Sequence, residues 1–203
     1  MRGVRLAAGA LCAVLAVSPV LAAEGDGDWP CVQRKVPSLT PAAVWTGPVF
    51  DETADWRADD EVAAMVSRLS QRRLPVEEAA AEIETFAAGL GADEGERLTL
   101  LFAGLFQTMN AERSQIIDGI ERYARRQRQV AAQVRQMAAD FGALRRDGAA
   151  DAEAIAEAQT ALEWQTRIFN ERRASLPYVC EVPRFVEQRL FALGRTIARE
   201  LPQ

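Results

Sequence analysis

The chain contains no histidine, and that absence closes more chemistry than any residue present opens. Without an imidazole there is no Ser-His-Asp triad, no Cys-His pair, no histidine zinc site and no covalent haem motif. A carboxylate-bridged di-iron site built on Glu-x-x-His pairs is excluded as well. Carboxylates remain: Glu112, Asp118 and Glu121 share one helical stretch, with Glu163 and Glu171 opposite. Beside Arg113, Arg122 and Arg125, at helical spacing, they read as solvated ion pairs and not as an acid/base pair. No Gly-rich phosphate loop, Walker motif or EF-hand pattern is present. The expectation is a protein that is not an enzyme, with no catalytic residue, no cofactor and no metal site.

Lysine is nearly missing: of 24 basic residues only Lys35 is lysine, the usage of a GC-rich bacterial genome. Cysteine is scarce too, with three residues, and the N-terminus decides how they count. Arg2 and Arg5 precede an apolar run from Leu6 to Val17, broken by Ser18 and Pro19 and followed by Val20-Leu21-Ala22. This is the pattern of a cleaved signal peptide over residues 1–22, and the apolar run is shorter than the ~20 residues of a membrane span. Export implies a periplasmic or secreted protein with no transmembrane span after signal removal. Cys12 leaves with the signal, so Cys31 and Cys180 remain to form one disulfide in an oxidising compartment. The mature chain then carries 22 basic against 29 acidic residues, a balance that argues against nucleic acid as a partner.

Regular secondary structure starts late. Pro30, Pro37, Pro41 and Pro48 punctuate residues 29–50, withholding backbone donors and biasing their predecessors away from helix. Residues 23–50 are therefore expected to form an extended arm, with one helical turn near Pro41 and anchors at Trp29, Val36, Leu39, Val44 and Trp45. Residues 51–203 read as one helical domain. A first helix spans about 59–72; a second starts at Pro75 and stops at Gly91. A third, about 93–144, opens with Leu98, Leu100, Leu101, Phe102, Leu105 and Phe106, apolar almost all round and hence the centre of a small bundle. Gly104 in that run predicts close approach of a neighbouring helix.

Beyond Met109 the third helix becomes one-sided, along a register that can be read from Phe102. Phe106, Met109, Ile116, Ile120, Tyr123, Val130, Val134, Met137, Phe141 and Leu144 follow steps of three and four, with Arg113 and Gln127 the polar residues in the register. Such a seam requires a second helix. The break at Arg146-Asp147-Gly148 and the heptad Ile155, Leu162, Phe169, Leu176 supply it as an antiparallel return over about 151–175. Pairing places Gln127 by Phe169, Ile120 by Leu176 and Cys180 near Ile116. Pro177 is expected to interrupt this helix and Pro183 to start a last one, with Val186, Leu190, Leu193 and Ile197 inward. The fold class is all-α: a small helical bundle with a projecting antiparallel coiled-coil hairpin, about 113–176, and an extended Pro-rich N-terminal arm.

The hairpin bears on function. Ala124, Ala131 and Ala138 on one helix and Ala154, Ala158 and Ala161 on the other widen the apolar seam beyond what two helices cover, and these six are the candidate interaction residues. Arg122, Arg125, Arg126 and Arg128 fall around the outside, as a solvated face or as a site for an acidic partner or anionic lipid headgroups, with no apolar membrane face beside them. The leading expectation is an exported interaction or assembly protein acting through the hairpin with a protein partner or as a homo-oligomer. The alternatives are a periplasmic holdase-type chaperone and a small-ligand binder in the bundle, walled by Trp45, Trp56 or Trp164.

Overall fold

The computed structural model describes residues 27–202; the expected signal segment and Cys12 lie outside the described residues. Every regular element in the described chain is helical: α1 Pro41–Val44, α2 Asp60–Leu69, α3 Val76–Ala88, α4 Glu94–Arg146 and α5 Ala152–Glu200, with single 3-10 turns at Trp56–Ala58 and Gly91–Asp93. None of these helices is long and apolar enough to cross a membrane.

Each start and stop has a local cause. Asp59 caps α2 by accepting from the Glu61 and Val62 amides, and its carboxylate also receives Arg97 Nε and Nη2 at 2.7 and 2.8 Å. These bonds, led by that from Arg97, hold the Asp59 carboxyl below its usual range. Pro75 precedes the first turn of α3, where Glu77 and Glu78 face the positive end of the helix dipole. Gly91, with φ at 62°, turns the chain into α4 through a conformation that side-chain-bearing residues avoid.

The core lies where the N-terminal part of α4 meets the C-terminal part of α5. Leu98, Leu101, Leu105, Leu190, Leu193 and Ile197 are wholly buried there. α2 packs on α4, while α3 and α1 pack on α5. Trp45 stacks on Phe102 with ring centroids 4.0 Å apart, and Phe50 meets both rings edge-on. Trp56 is buried, donating to Gln107 Oε1. A Cβ on Gly104 would stand 2.6 Å from Val66 and 2.9 Å from Trp56, so the expected close approach is real and glycine permits it. Arg189, buried in this core, donates to the Leu69 carbonyl through Nε and Nη2 and to the Leu74 carbonyl through Nη1. It closes the C-terminal end of α2, whose last carbonyls have no helical partner.

The expectation of a return helix ended by Pro177 is corrected by the structure. α5 runs unbroken from Ala152 through Pro177 and Pro183. Each proline forfeits one amide bond and crowds the carbonyl four residues before it, a local cost of ~3 kcal/mol. Continuity is favoured because the apolar column on either side, Leu176 before and Val186 after, packs in one line on α4, and a break would lose that burial. Pro177 is also exposed, so the carbonyl it frees can be hydrated.

Candidate interaction surface

α4 and α5 form an antiparallel pair, joined by the short turn at residues 147–151. The register is fixed midway, where Tyr123 Oη donates to the Arg172 carbonyl at 2.8 Å and accepts from Gln127 Nε2 at 3.0 Å. Nearer the body, Arg113 reaches Glu187 at 3.6 Å. Gln127 and Phe169 line one hollow with Leu176, consistent with the pairing read from the heptads.

The N-terminal arm lies on this pair, running antiparallel to α4. The Leu39 amide donates to Asn110 Oδ1, Ser114 Oγ donates to the Pro37 carbonyl, and Arg113 Nη1 donates to the Val36 carbonyl at 2.7 Å. Lys35 pairs with Glu121, and Gln33 Nε2 donates to Glu181. Arg113 is 5% exposed; burial pushes its guanidinium below the ordinary arginine range, opposed by Glu187. The arm ends with Asp28 held between Arg125, at 2.7 Å, and Arg128. Of the expected anchors, Leu39, Val44 and Trp45 are buried, Trp29 is half-buried and Val36 is exposed.

Cys31 and Cys180 are bonded, with Cα atoms 5.6 Å apart across 149 residues of sequence. The bond ties the arm to α5 at the base of the hairpin. For a loop of this length the chain-entropy contribution is on the order of 4 to 5 kcal/mol.

The six candidate alanines are divided by this arrangement. Ala124 is buried on the stretch along which the arm lies. Ala131, Ala154 and Ala158 are half-buried, while Ala138 and Ala161 are exposed. Ala124 and Ala131 share a hollow of about 230 Å³ with Phe169, Leu176, Arg128 and Arg173, lined also by Pro30 of the arm. The arm therefore covers part of the widened face and leaves the rest open. From residue 131 to residue 179 no side chain is fully buried. The tryptophans considered as ligand walls also separate: Trp45 and Trp56 are packed in the body, and Trp164 stands 57% exposed on α5 beneath the Arg167 guanidinium.

Two features escaped the sequence reading. Trp164, Tyr178 and Phe185 occupy one heptad column on the outside of α5 and are all exposed; their spacing of 14 and 7 residues was the available signal. The clasp of Asp28 joins residues about a hundred positions apart and has no local signature. No known protein family, curated protein or solved structure matches this chain.

Proposed function

We propose that this chain is an exported, non-catalytic interaction or assembly protein of the bacterial periplasm, acting through the distal part of its hairpin. The observation that supports the reading best is the long stretch 131–179, which holds no fully buried side chain yet presents Ala131, Ala158 and Trp164 along two helices. A strip of this kind gains stability by burial against another surface. Two hairpins related by a two-fold axis would bury it as a four-helix bundle, and a helical partner would do the same. Export is supported by the signal-like N-terminus and by the disulfide.

Sedimentation of the mature protein, combined with crosslinking and pull-down from the native envelope, tests the reading. The expected result is a dimer or a stable complex that Ala131→Glu and Ala158→Glu weaken while the circular dichroism melt is kept. A monomer at tens of micromolar with no crosslinked partner would remove it. The exposed aromatic column of α5 favours a second reading, in which the hairpin holds unfolding clients. Light scattering of a denaturing client separates the two: suppression by the wild type and loss of suppression in Trp164→Ser with Tyr178→Ser would favour the holdase.

A further inference from the structure

The antiparallel register brings two arginine-rich stretches to one level of the hairpin. Residues 122–128 of α4 contain four arginines and no acid, and residues 167–173 of α5 contain three arginines and Glu171. Because Tyr123 bonds to the carbonyl of Arg172, these stretches lie side by side and make a basic belt on a chain whose net charge is −5. Asp28 is shared by Arg125 and Arg128. Arg122, Arg126, Arg172 and Arg173 have no carboxylate partner among the described residues. Seven arginines against one glutamate in these two stretches make a local excess of positive charge on an acidic protein.

At the same level lies the hollow between the helices. Ala124, Ala131, Phe169 and Leu176 line it, and so do Arg128 and Arg173. Gln127 lines it too, with an Oε1 that is buried and has no donor among the described residues. The arm already shows the mode of binding on a small scale: an extended segment lies along α4, Pro30 lines the hollow, and Asp28, two residues before it, is held by two arginines.

We infer that the hollow and its belt form a docking site for an acidic, extended segment of a partner protein. An apolar side chain of that segment sits between Arg128 and Arg173, and its flanking carboxylates meet the unpaired arginines. The choice of a polypeptide rests on the apolar lining beside the arginines and on the precedent of the arm. Carboxylates meet guanidinium forks in paired geometry, and long-range attraction speeds encounter. This inference rests on the proposed interaction role and names the chemistry of the partner.

The test is fluorescence anisotropy of the disulfide-bonded mature protein with a labelled peptide Glu-Glu-Asp-Leu-Phe-Asp-Glu-Glu. Comparators are the same peptide with Leu-Phe replaced by Gly-Ser, a lysine-for-acid version, and phosphatidylglycerol vesicles. Saturable binding is expected for the first peptide, weakened about tenfold or more by Arg173→Glu and likewise by the Gly-Ser replacement. Ala131→Phe, which fills the hollow without changing charge, should weaken it similarly, and raising salt from about 50 to 300 mM should weaken it further. Absence of saturable binding, equal binding of the lysine peptide, or indifference to both Arg173→Glu and Ala131→Phe would overturn the site. Binding to the vesicles alone would overturn it in favour of a lipid headgroup. Dimerisation abolished by Arg173→Glu without peptide binding would overturn it in favour of a second copy. If the sedimentation and crosslinking experiment still finds a hairpin complex that Arg173→Glu leaves intact, the docking site falls and the interaction role stands.

Discussion

The two ends of the α4/α5 pair are built from the same helices and by opposite rules. At the body end, α4 from Leu98 to Met109 is surrounded by α2, the Trp56 turn, the aromatic cluster of Trp45 and Phe50, and α5. At the distal end, Val134, Met137, Phe141 and Leu144 face Ile155 and Leu162 in the heptad pairing, and each stays half-buried. Two helices in contact cover one stripe of each other and no more. The body's stability thus comes from enclosure, whereas the distal hairpin is held by its continuity with the body and by a single seam. A surface intended for another molecule is better placed on the second kind of structure, where binding adds the missing cover without displacing a packed core.

Substitutions can break this contrast. Phe102→Ala removes the ring on which Trp45 stacks and should cost about 3 to 5 kcal/mol, whereas Phe141→Ala, half-buried near the tip, should cost about 1 kcal/mol or less. Chemical denaturation of the two variants checks the ratio; equal losses would mean that the tip is as enclosed as the body. Replacing Cys31 and Cys180 together by serine should lower stability by about 2 to 5 kcal/mol. The loss should appear in hydrogen exchange as deprotection at the base of the hairpin around residues 113–124, with the body amides still the slowest.

Val134→Asp should cost about 1 to 3 kcal/mol through the charge it places in the seam. Hydrogen exchange should locate the opening beyond residue 130, with the body protected; global unfolding would show that the two ends are one cooperative unit. The smallest effect is expected at the start of α2, where Asp59→Ala removes a cap and the partner of Arg97 and should cost about 1 kcal/mol. The Asp59 carboxyl is depressed in the folded state. Its contribution is therefore complete above the unfolded value of about 3.9 and is lost as pH falls through the lower folded value. Melts of wild type and Asp59→Ala should accordingly converge in strong acid.

Much of this architecture is written in periodic signals. The steps of three and four from Phe106 to Leu144, the heptad from Ile155 to Leu176 and the break at Asp147-Gly148 are local patterns, and each maps onto the observed pair of helices. The two cysteines could be paired by counting. What periodicity cannot carry is competition between a local cost and distant packing, which is why the prolines of α5 read as breaks and are not. Nor can it carry contacts of high sequence separation. Arg189 looks like any surface arginine until it is seen closing the end of α2, and the path of the arm along α4 follows from Asn110, Arg113 and Ser114, none of which belongs to a motif. The small residues of the candidate surface show in the heptads, while the burial of Ala124 beside the arm depends on a course of the arm that the sequence does not encode locally.

The bond between Cys31 and Cys180 also bears on the order of events in biogenesis. In a chain exported N-terminus first, as proposed above, Cys31 emerges early and its partner only after a further 149 residues. Until then the first thiol has no correct mate, and if residues 1–22 with Cys12 are removed, as proposed, it has no wrong one within the chain either. Oxidation can therefore take place only after nearly all of the polypeptide has been delivered, and the closed bond serves as a chemical record that delivery was completed. A chain stalled during translocation would carry two reduced thiols and an undocked arm, marking it apart from the finished protein for any quality-control protease outside the membrane.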